Sequence, residues 1–350
     1  MVQDQSSVEQ ATARPRVRMA DIARELGISK AAVSYALNGL PGVAADTRQR
    51  VLDLARERGW HASSSARALS GARTGVVGLV LSRPTDVLTA ETFFIRFLAG
   101  VESVLNRSGG SLLLKVIGDH PELEIATYER WWGERRIDGV LMVDERYRDA
   151  RVDAVARLGV PAVLCGGPVK AAQLPCLWTD QAADAAIVVE HLARLGHRRV
   201  AHISGPLEFA HERGRRRGVR RAARDRGMEV TTVAADYTGP QAGEETARLM
   251  RAPEPPTAIV YGNDVMAVSG MGALAEAGCR VPEDVSVVSW DDSALTCVTR
   301  PTITALWRDT PAYGATAARL LLDLVDGKQP GPVQVAASAL RERDSTAAVR

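Results

Sequence analysis

Short apolar runs rich in β-branched residues recur from Val76 onward and alternate with amphipathic helical stretches. Such runs predict strands buried on both faces, and the alternation predicts parallel sheets covered by helices. Residues 74–350 are too many for one compact core, so we expect two doubly wound lobes with a ligand cleft at the carboxyl ends of their strands. The runs are VVGLVLS, SLLLKVI, DGVLMV, PAVLCG, RRVAHISG, AIVYG and VSVVSW.

Residues 17–60, which precede this α/β body, have the spacing of three short helices. Apolar residues recur at helical intervals in MADIAREL, Gly27 permits a tight turn, and Ser29 is a suitable N-cap for a second helix. A third helix is predicted from about Asp46 to Gly59. This order describes a helix-turn-helix, with an ordinary three-helix bundle as the alternative.

Positive charge is concentrated in the same part of the chain. Residues 14–73 carry 11 Lys/Arg against 5 Asp/Glu, whereas residues 74–350 carry 33 against 35. A basic head on a nearly neutral body indicates that one end binds a polyanion, although a charged run is more often only solvated surface.

The run ADIARELGISKAAVSYALNGLPGVAADTRQRVLDLARERGW resembles the DNA-binding head of the lac/galactose repressor family (LacI/GalR), and the spacing matches from Val17 to Leu69. The pieces HLARLGHRRVAHISGP, GNDVMAVSGMGALAEAGCRVPEDVSVVSWDDS and RPTITAL continue the resemblance through the body. It implies an all-α head on a two-lobed body like a periplasmic binding protein. It also implies a repressor controlled by a small effector, expected to be a sugar or sugar derivative.

The resemblance also implies a division of the chain. We expect a disordered leader, a helix-turn-helix domain, a hinge helix with its linker, and an effector-binding and dimerisation body of two lobes. In that order they span 1–14, 15–62, 63–73 and 74–350, with lobe 1 at about 74–178 and 307–332 and lobe 2 at about 179–306 and 333–350.

By the same resemblance, residues 29–38 form the recognition helix in the major groove. Lys30, Ala31 and Tyr35 occupy base-reading positions, and many members carry Arg where this chain has Tyr35. Arg18 replaces the usual Ser/Thr cap of the first helix. The expected phosphate contacts are Ser29, Ser34, Asn38 and Thr47.

Residues 63–70 align with the hinge helix, which enters the minor groove. Leu69 is the expected apolar wedge between base pairs, and Ala66 packs one turn before it. A plain flexible linker is the alternative. A hinge helix this short is unstable alone, so we expect a homodimer that binds a pseudo-palindromic operator in double-stranded DNA.

The effector site implied by the resemblance draws on both lobes. Arg215 and Asp291 are expected to hold hydroxyl groups, because a guanidinium donates where a carboxylate accepts. The alternatives are that Arg215 belongs to a solvated basic face and that Asp291 caps a turn. His211 stands where small hydroxyl residues are common. The remaining expected contacts are Phe93 and Phe94 on the floor, Asn263 at the rim and Trp290 against a sugar face.

Other functions fit the sequence less well. The GxGxxA at Gly270–Ala275 lies inside a predicted helix rather than at a strand-to-helix turn, and HExxH, GxSxG and P-loop motifs are lacking. We therefore expect no enzymatic activity, cofactor or metal. A periplasmic sugar-binding protein and a purine-responsive repressor are the rivals. A polar N-terminus, scattered cysteines and no long apolar run favour a cytoplasmic protein without membrane contact.

Overall fold

The computed structural model describes residues 17–37, 39–60, 73–118, 120–167 and 174–349. The chain divides into two compact units, Met1–Ala72 and Arg73–Arg350. The first is the predicted head and the second the predicted α/β body.

Three helices form the head: Met19–Leu26 (α1), Lys30–Leu37 (α2) and Ala45–Glu57 (α3). Gly27 adopts φ 67° after α1, a left-handed conformation that glycine accepts without strain. Ser29 Oγ accepts a hydrogen bond from the Ala32 N–H at 3.1 Å, which confirms Ser29 as the cap of α2. The core of the unit consists of Ile22, Ala23, Val33, Ala36, Val51, Leu54 and Ala55.

Arg18 stands at the N-cap of α1 without a side chain that can accept hydrogen bonds. Asp21 compensates, because its carboxylate accepts the backbone N–H of Arg18 at 2.9 Å. The carboxylate also places negative charge in the first turn, which favours the helix dipole. The unusual residue at position 18 therefore leaves the helix start satisfied.

The first sheet of the body has the strand order β11-β5-β4-β3-β1-β2, and every described pairing in it is parallel. Its two middle strands, β3 and β4, are fully buried, as a sheet covered by helices requires. The strands are Val76–Leu81 (β1), Ser111–Val116 (β2), Gly139–Met142 (β3), Ala162–Cys165 (β4), Cys176–Trp178 (β5) and Val333–Gln334 (β11).

The second sheet has the order β12-β10-β9-β8-β6-β7 and is parallel except for the antiparallel edge strand β12. The two sheets share the same strand order, which gives the body two similar lobes. The strands are Arg199–Ser204 (β6), Glu229–Ala234 (β7), Ala258–Tyr261 (β8), Ser286–Ser289 (β9), Thr304–Trp307 (β10) and Ala339–Arg341 (β12).

Helices cover both sheets. In the first lobe they are Thr85–Ala90 (α4), Thr92–Ser108 (α5), Glu122–Gly133 (α6), Ala150–Leu158 (α7) and Thr310–Val325 (α13). In the second lobe they are Gln181–Arg194 (α8), Ala210–Arg224 (α9), Gly239–Met250 (α10), Asp264–Glu276 (α11) and Ala294–Val298 (α12).

The chain crosses between the lobes after β5, after β10 and after β11. Two of these crossings differ from the predicted boundaries. Trp307 ends a strand of the second sheet rather than beginning lobe 1, and Val333–Gln334 pairs with β5 of the first sheet rather than belonging to lobe 2. The lobe to which each of these two segments belongs depends on the distant strand with which its backbone pairs, and the local sequence does not reveal that pairing.

Helix α4 connects the lobes by packing, although it directly follows β1 of the first sheet. Its Val87 is buried in the apolar core of the second lobe together with Phe209 and Tyr237. The Arg83 guanidinium lies 4.2 Å from the centre of the Phe209 ring and 4.7 Å from that of Tyr237. One buried side chain of this first-lobe helix, that of Val87, therefore belongs to the core of the second lobe.

Candidate functional site

The head presents most of the predicted base-reading and phosphate-binding residues to solvent. Ser29, Lys30, Ala31 and Tyr35 are exposed, and Ser34 and Thr47 are half-buried. They lie at the start of α2, along it, and near the start of α3. An exposed face of this kind is what a recognition helix needs. The predicted contacts Asn38, Ala66 and Leu69 lie outside the described residues.

The cleft of the body holds a pocket of about 850 Å³, counting the part open to solvent. It lies where strands of both sheets end, as expected for doubly wound lobes. Five of the seven predicted effector contacts line it: Phe93, Phe94, His211, Arg215 and Asp291. The other lining residues are Arg83, Glu91, Val143, Asp144, Cys165, Gly166, Gly167, Thr179, Gln181, Tyr237, Arg308 and Tyr313.

Arg215 is buried on α9 and not on a solvated face. Its Nη1 donates to Glu212 Oε1 at 2.5 Å and to the Gly262 carbonyl at 3.2 Å, and its Nε donates to Gln181 Oε1 at 3.1 Å. Glu212 is therefore the counter-ion of Arg215. The Nη2 of Arg215 makes no hydrogen bond within the described chain and is left for a ligand.

His211 is a neutral donor in this pocket. Burial, with Arg215 nearby, lowers its pKa to about 4, so the ring is uncharged at neutral pH. The Tyr237 hydroxyl donates to Glu212 Oε1 at 2.9 Å and lies 2.8 Å from His211 Nε2. Because the hydroxyl hydrogen is already used, His211 donates from Nε2 to the tyrosine oxygen. The chain His211–Tyr237–Glu212 fixes this wall of the pocket.

Asp291 follows β9 and points its carboxylate into the cleft. The turn is closed by Ser289, whose hydroxyl donates to the Asp291 carbonyl at 2.7 Å. The carboxylate makes no hydrogen bond with the described residues, and its nearest cation is Arg308 Nη2 at 4.0 Å. The alternative that the Asp291 side chain caps the turn is therefore not what the structure shows.

Asn263 and Trp290 are not among the lining residues. Asn263 Oδ1 caps α11 by accepting the Met266 N–H at 2.8 Å, and its Nδ2 donates to Glu91 Oε1 at 3.2 Å. Trp290 is fully buried, with the Arg215 guanidinium 5.1 Å from the centre of its ring. Each supports a lining residue from behind, so the expected stacking of Trp290 on a sugar does not fit this arrangement.

The sequence reasoning missed the charged groups that the first lobe supplies. Arg83 follows β1 and donates from Nε and Nη2 to the two carboxylate oxygens of Asp144, at 2.8 and 2.9 Å. Asp144 follows β3, the neighbouring strand. The position of both residues just after apolar runs was the available signal, because parallel strands end at one edge of a sheet.

Glu91 contributes a second carboxylate from the first lobe. Burial raises its pKa to about 7, against the opposing effect of the Arg83 charge. Its hydrogen bond with Asn263 joins the first lobe to the second across the cleft. Glu91 is therefore poised between its protonated and ionised forms near neutral pH.

Known proteins share this combination of head and body. Residues 18–63 match the bacterial regulatory proteins of the lacI family, and residues 189–346 match the periplasmic binding protein-like domain. The transcriptional regulator MalR of Streptomyces coelicolor is 32% identical over 329 residues, 90% of this chain and 92% of that protein. Catabolite control protein A of Priestia megaterium is 28% identical over 309 residues, 87% and 91% of the two chains.

Two solved structures extend the similarity to the fold. A complex of the regulator CelR with cellobiose has a TM-score of 0.72 at 28% identity, covering 94% of this chain and all of that one. The lac repressor dimer bound to operator and the anti-inducer ONPF has a TM-score of 0.82 at 25% identity, covering 95% and 100%.

No helix in the described parts of the chain has the length and apolar character needed to cross a bilayer. A helix-turn-helix head joined to a two-lobed, ligand-binding body defines a DNA-binding transcriptional regulator under small-molecule control. The chain belongs to the lacI family of bacterial regulatory proteins.

Proposed function

We propose that this regulator is a cytoplasmic repressor that binds its operator as a homodimer and responds to a sugar or sugar derivative in the cleft. The carrying observation is the pocket itself, which places the Phe93 and Phe94 rings of one lobe opposite the polar groups Arg215 and Asp291 of the other. Aromatic faces beside a guanidinium and a carboxylate suit a polyhydroxylated ring. The relative CelR, solved with cellobiose, supports this class of effector.

Regulation follows from the two lobes contributing to one pocket. A ligand that contacts both lobes stabilises the arrangement in which they approach each other, and it disfavours the arrangement in which they separate. It alters operator affinity only by its difference in affinity for these two arrangements. The pocket serves binding alone in this proposal, without a catalytic step.

On the DNA side, we propose that α2 occupies the major groove. Lys30, Ala31 and Tyr35 contact bases, while Ser29, Ser34, Asn38 and Thr47 hold phosphates. The segment with Ala66 and Leu69 enters the minor groove. Tyr35 and Ala31 supply few donors, so base discrimination by hydrogen bonds falls mainly on Lys30.

Genomic DNA fragments captured by the purified protein and sequenced would test this function. We expect enrichment of one pseudo-palindromic motif, and an affinity for it that shifts when a sugar is added. Salt-dependent binding without any enriched motif would contradict the repressor assignment. A response to a purine base, with none to sugars, would replace the effector class and keep the repressor.

A further inference from the structure

Helix α9 carries a concentration of positive charge that the effector pocket does not use. Seven of its fifteen residues are arginine, and its one carboxylate, Glu212, is paired with Arg215. Arg213, Arg216 and Arg217 form no ion pair with any residue that the structure describes. Like charges on neighbouring helical turns repel each other, so a cluster without counter-ions favours an anion from solution.

These three arginines line a second pocket, of about 790 Å³ when the part open to solvent is counted. Among the described residues, this pocket and the effector pocket have no lining residue in common. Helix α9 therefore presents Arg215 to one cavity and other arginines to another. The rest of the lining of the second pocket consists of Tyr147, Leu207 and Ala210.

Two of the arginines are oriented by acceptors from their own lobe. Arg213 Nε donates to the Leu207 carbonyl, and Arg216 Nε donates to the Thr232 hydroxyl at 3.1 Å. Their Nη atoms, and the whole guanidinium of Arg217, make no hydrogen bond within the described chain. A guanidinium fixed through Nε keeps a planar pair of donors, which matches the oxygens of a phosphate group.

The first lobe completes the pocket with Tyr147, which is 58% exposed. The Arg213 guanidinium lies 4.6 Å from the centre of its ring. Beside it, backbone hydrogen bonds join the lobes: the Tyr147 N–H donates to the Glu208 carbonyl at 3.0 Å, and the Ala210 N–H donates to the Glu145 carbonyl at 2.8 Å. The pocket therefore draws on both lobes, next to a backbone contact between them.

The shape and charge of the pocket indicate the class of ligand. Three guanidinium groups in one concavity balance more than one negative charge, and adjacent phosphates place several charges within a short distance. Leu207, Ala210 and the Tyr147 ring supply an apolar wall for an organic group. A nucleic acid instead spreads its phosphates along an extended backbone, which fits a stripe of charge better than a pocket.

We propose that this pocket is a second ligand site, separate from the effector cleft. It binds a small molecule that carries a diphosphate or triphosphate group, through Arg213, Arg216 and Arg217. The inference goes beyond the proposed function, because binding at this site requires no sugar in the cleft and no operator.

Calorimetry on the full-length protein, without Mg²⁺ and at fixed ionic strength, tests the site with pyrophosphate, ATP and sulfate as probes. Pyrophosphate or ATP should bind at least about tenfold more tightly than sulfate. The double variant Arg213→Gln/Arg217→Gln should weaken that binding by about tenfold or more.

The matched control is Arg221→Gln/Arg224→Gln, which removes the same charge from exposed positions further along α9. Its affinity should stay within about twofold of the parent value, because exposed charges outside the pocket are screened by salt. Equal weakening in both double variants would reduce the effect to general attraction by a basic helix and would overturn the proposal.

Other outcomes also decide against the site. If neither pyrophosphate nor ATP binds the parent, the proposal is wrong, whereas the sugar response of operator binding is measured separately and is unaffected. If random duplex DNA loses as much affinity as ATP in Arg213→Gln/Arg217→Gln, the cluster is a nucleic-acid surface instead. If that variant does not fold, Arg217→Gln decides, because Arg217 makes no hydrogen bond with the described chain. Parent-like ATP and pyrophosphate binding by Arg217→Gln would then overturn the proposal.

Discussion

Asp291 is the pocket carboxylate with the fewest competing partners, so its removal should act on the ligand almost alone. Asp291→Ala deletes an acceptor for ligand hydroxyls, and we expect sugar affinity to fall by about 2 kcal/mol. Arg215 keeps its counter-ion Glu212, so the pocket wall should stay intact. Calorimetry with the sugar that binds the parent best measures the loss.

The matching readout for Asp291→Ala is operator binding. Without ligand, the operator affinity of the variant should stay near that of the parent, because residue 291 belongs to a different compact unit from residues 17–60. With ligand it should no longer shift at concentrations that saturate the parent. A variant that binds the sugar normally and still responds on DNA would show that the effector site lies elsewhere.

The ionisation of Glu91 makes the free energy of unfolding depend on pH, in the direction opposite to that of a salt-bridged carboxylate. Its pKa is raised from 4.5 to about 7 on folding, so the folded state holds a proton that the unfolded state releases between these values. The contribution of Glu91 to the stability of the folded state therefore falls as pH rises from about 4.5 to 7. The charged groups acting on Glu91 are Arg83, Asp144 and Asp291.

Glu91→Gln removes this ionisation but keeps an oxygen that accepts from Asn263. We expect the variant to be more stable than the parent by about 1–3 kcal/mol at pH 8, and to match it at pH 5. Thermal unfolding at both pH values measures the difference. An equal stability difference between variant and parent at pH 5 and at pH 8 would mean that the difference does not arise from burying the charge of Glu91.

At single positions, sequence reasoning worked where the resemblance to the lac/galactose repressor family implied the place of a residue in the cleft. Phe93, Arg215 and Asp291 line the pocket as expected. It failed for Arg83 and Asp144, because their ion pair joins residues 61 positions apart and no motif announces it.

The proposed recognition helix α2 is capped at its start by the hydroxyl of Ser29. Ser29→Ala removes the cap and should destabilise the head by about 1 kcal/mol. Ser29→Asp keeps a capping oxygen but adds negative charge at a proposed phosphate contact. Thermal unfolding should therefore rank Ser29→Asp close to the parent and Ser29→Ala below it.

Operator titrations on the same two variants separate capping from DNA contact. Ser29→Asp should bind DNA more weakly than Ser29→Ala despite its greater stability, because its charge repels phosphate. If the operator affinities of the two variants rank in the same order as their thermal stabilities, Ser29 acts only as a helix cap.

The elements that sequence reasoning found are those with a strong local pattern. All seven apolar runs became strands, and the three head helices formed where they were predicted. The strands it missed are β5, β7, β10, β11 and β12. Of these, β7, β11 and β12 lie at sheet edges and β5 has only three residues, whereas β10 is an inner strand as long as β3, β4, β8 and β9. The edge strand β7, EVTTVA, is partly exposed and polar, and β11 has only two residues, so each depends on a neighbour's backbone rather than on its own periodicity.

The whole molecule is proposed to work as a twofold dimer, and the surface of the first lobe supports this. Several large apolar side chains are exposed there: Ile95, Leu114, Val116 and Leu123. Exposed apolar side chains concentrated on one lobe are typical of an interface. In the solved lac repressor, a dimer binds the operator.

Replacing Ile95, which is 70% exposed, with Asp should break this dimer, because the charge would be buried at the contact. Analytical ultracentrifugation should show a dimer for the parent and a monomer for Ile95→Asp, with operator affinity lost. Val298→Asp changes an equally exposed residue, at 69%, on the second lobe and should remain dimeric. A monomeric parent on DNA would rule out the dimer.

The division into head and body was predictable because its signal, like that of the strands, is local: composition changes sharply from the head to the body. The crossings at Trp307 and Gln334 were not, because they depend on which distant strand each segment pairs with. The structural class of each domain can thus be predicted from local sequence, whereas the lobe that a segment joins depends on pairing in the assembled fold.

The burial of Val87 of α4 in the core of the second lobe bears on how fast the lobes can separate. Separating the lobes must withdraw Val87 from an apolar core and lift the Arg83 guanidinium off two aromatic rings. Both steps expose surface before any new contact forms, so opening crosses a barrier that diffusion of a small molecule does not meet. Effector should therefore enter and leave at a rate set by the protein. Under the proposed regulation, the packing of this six-residue helix therefore limits how fast operator occupancy follows a change in effector concentration.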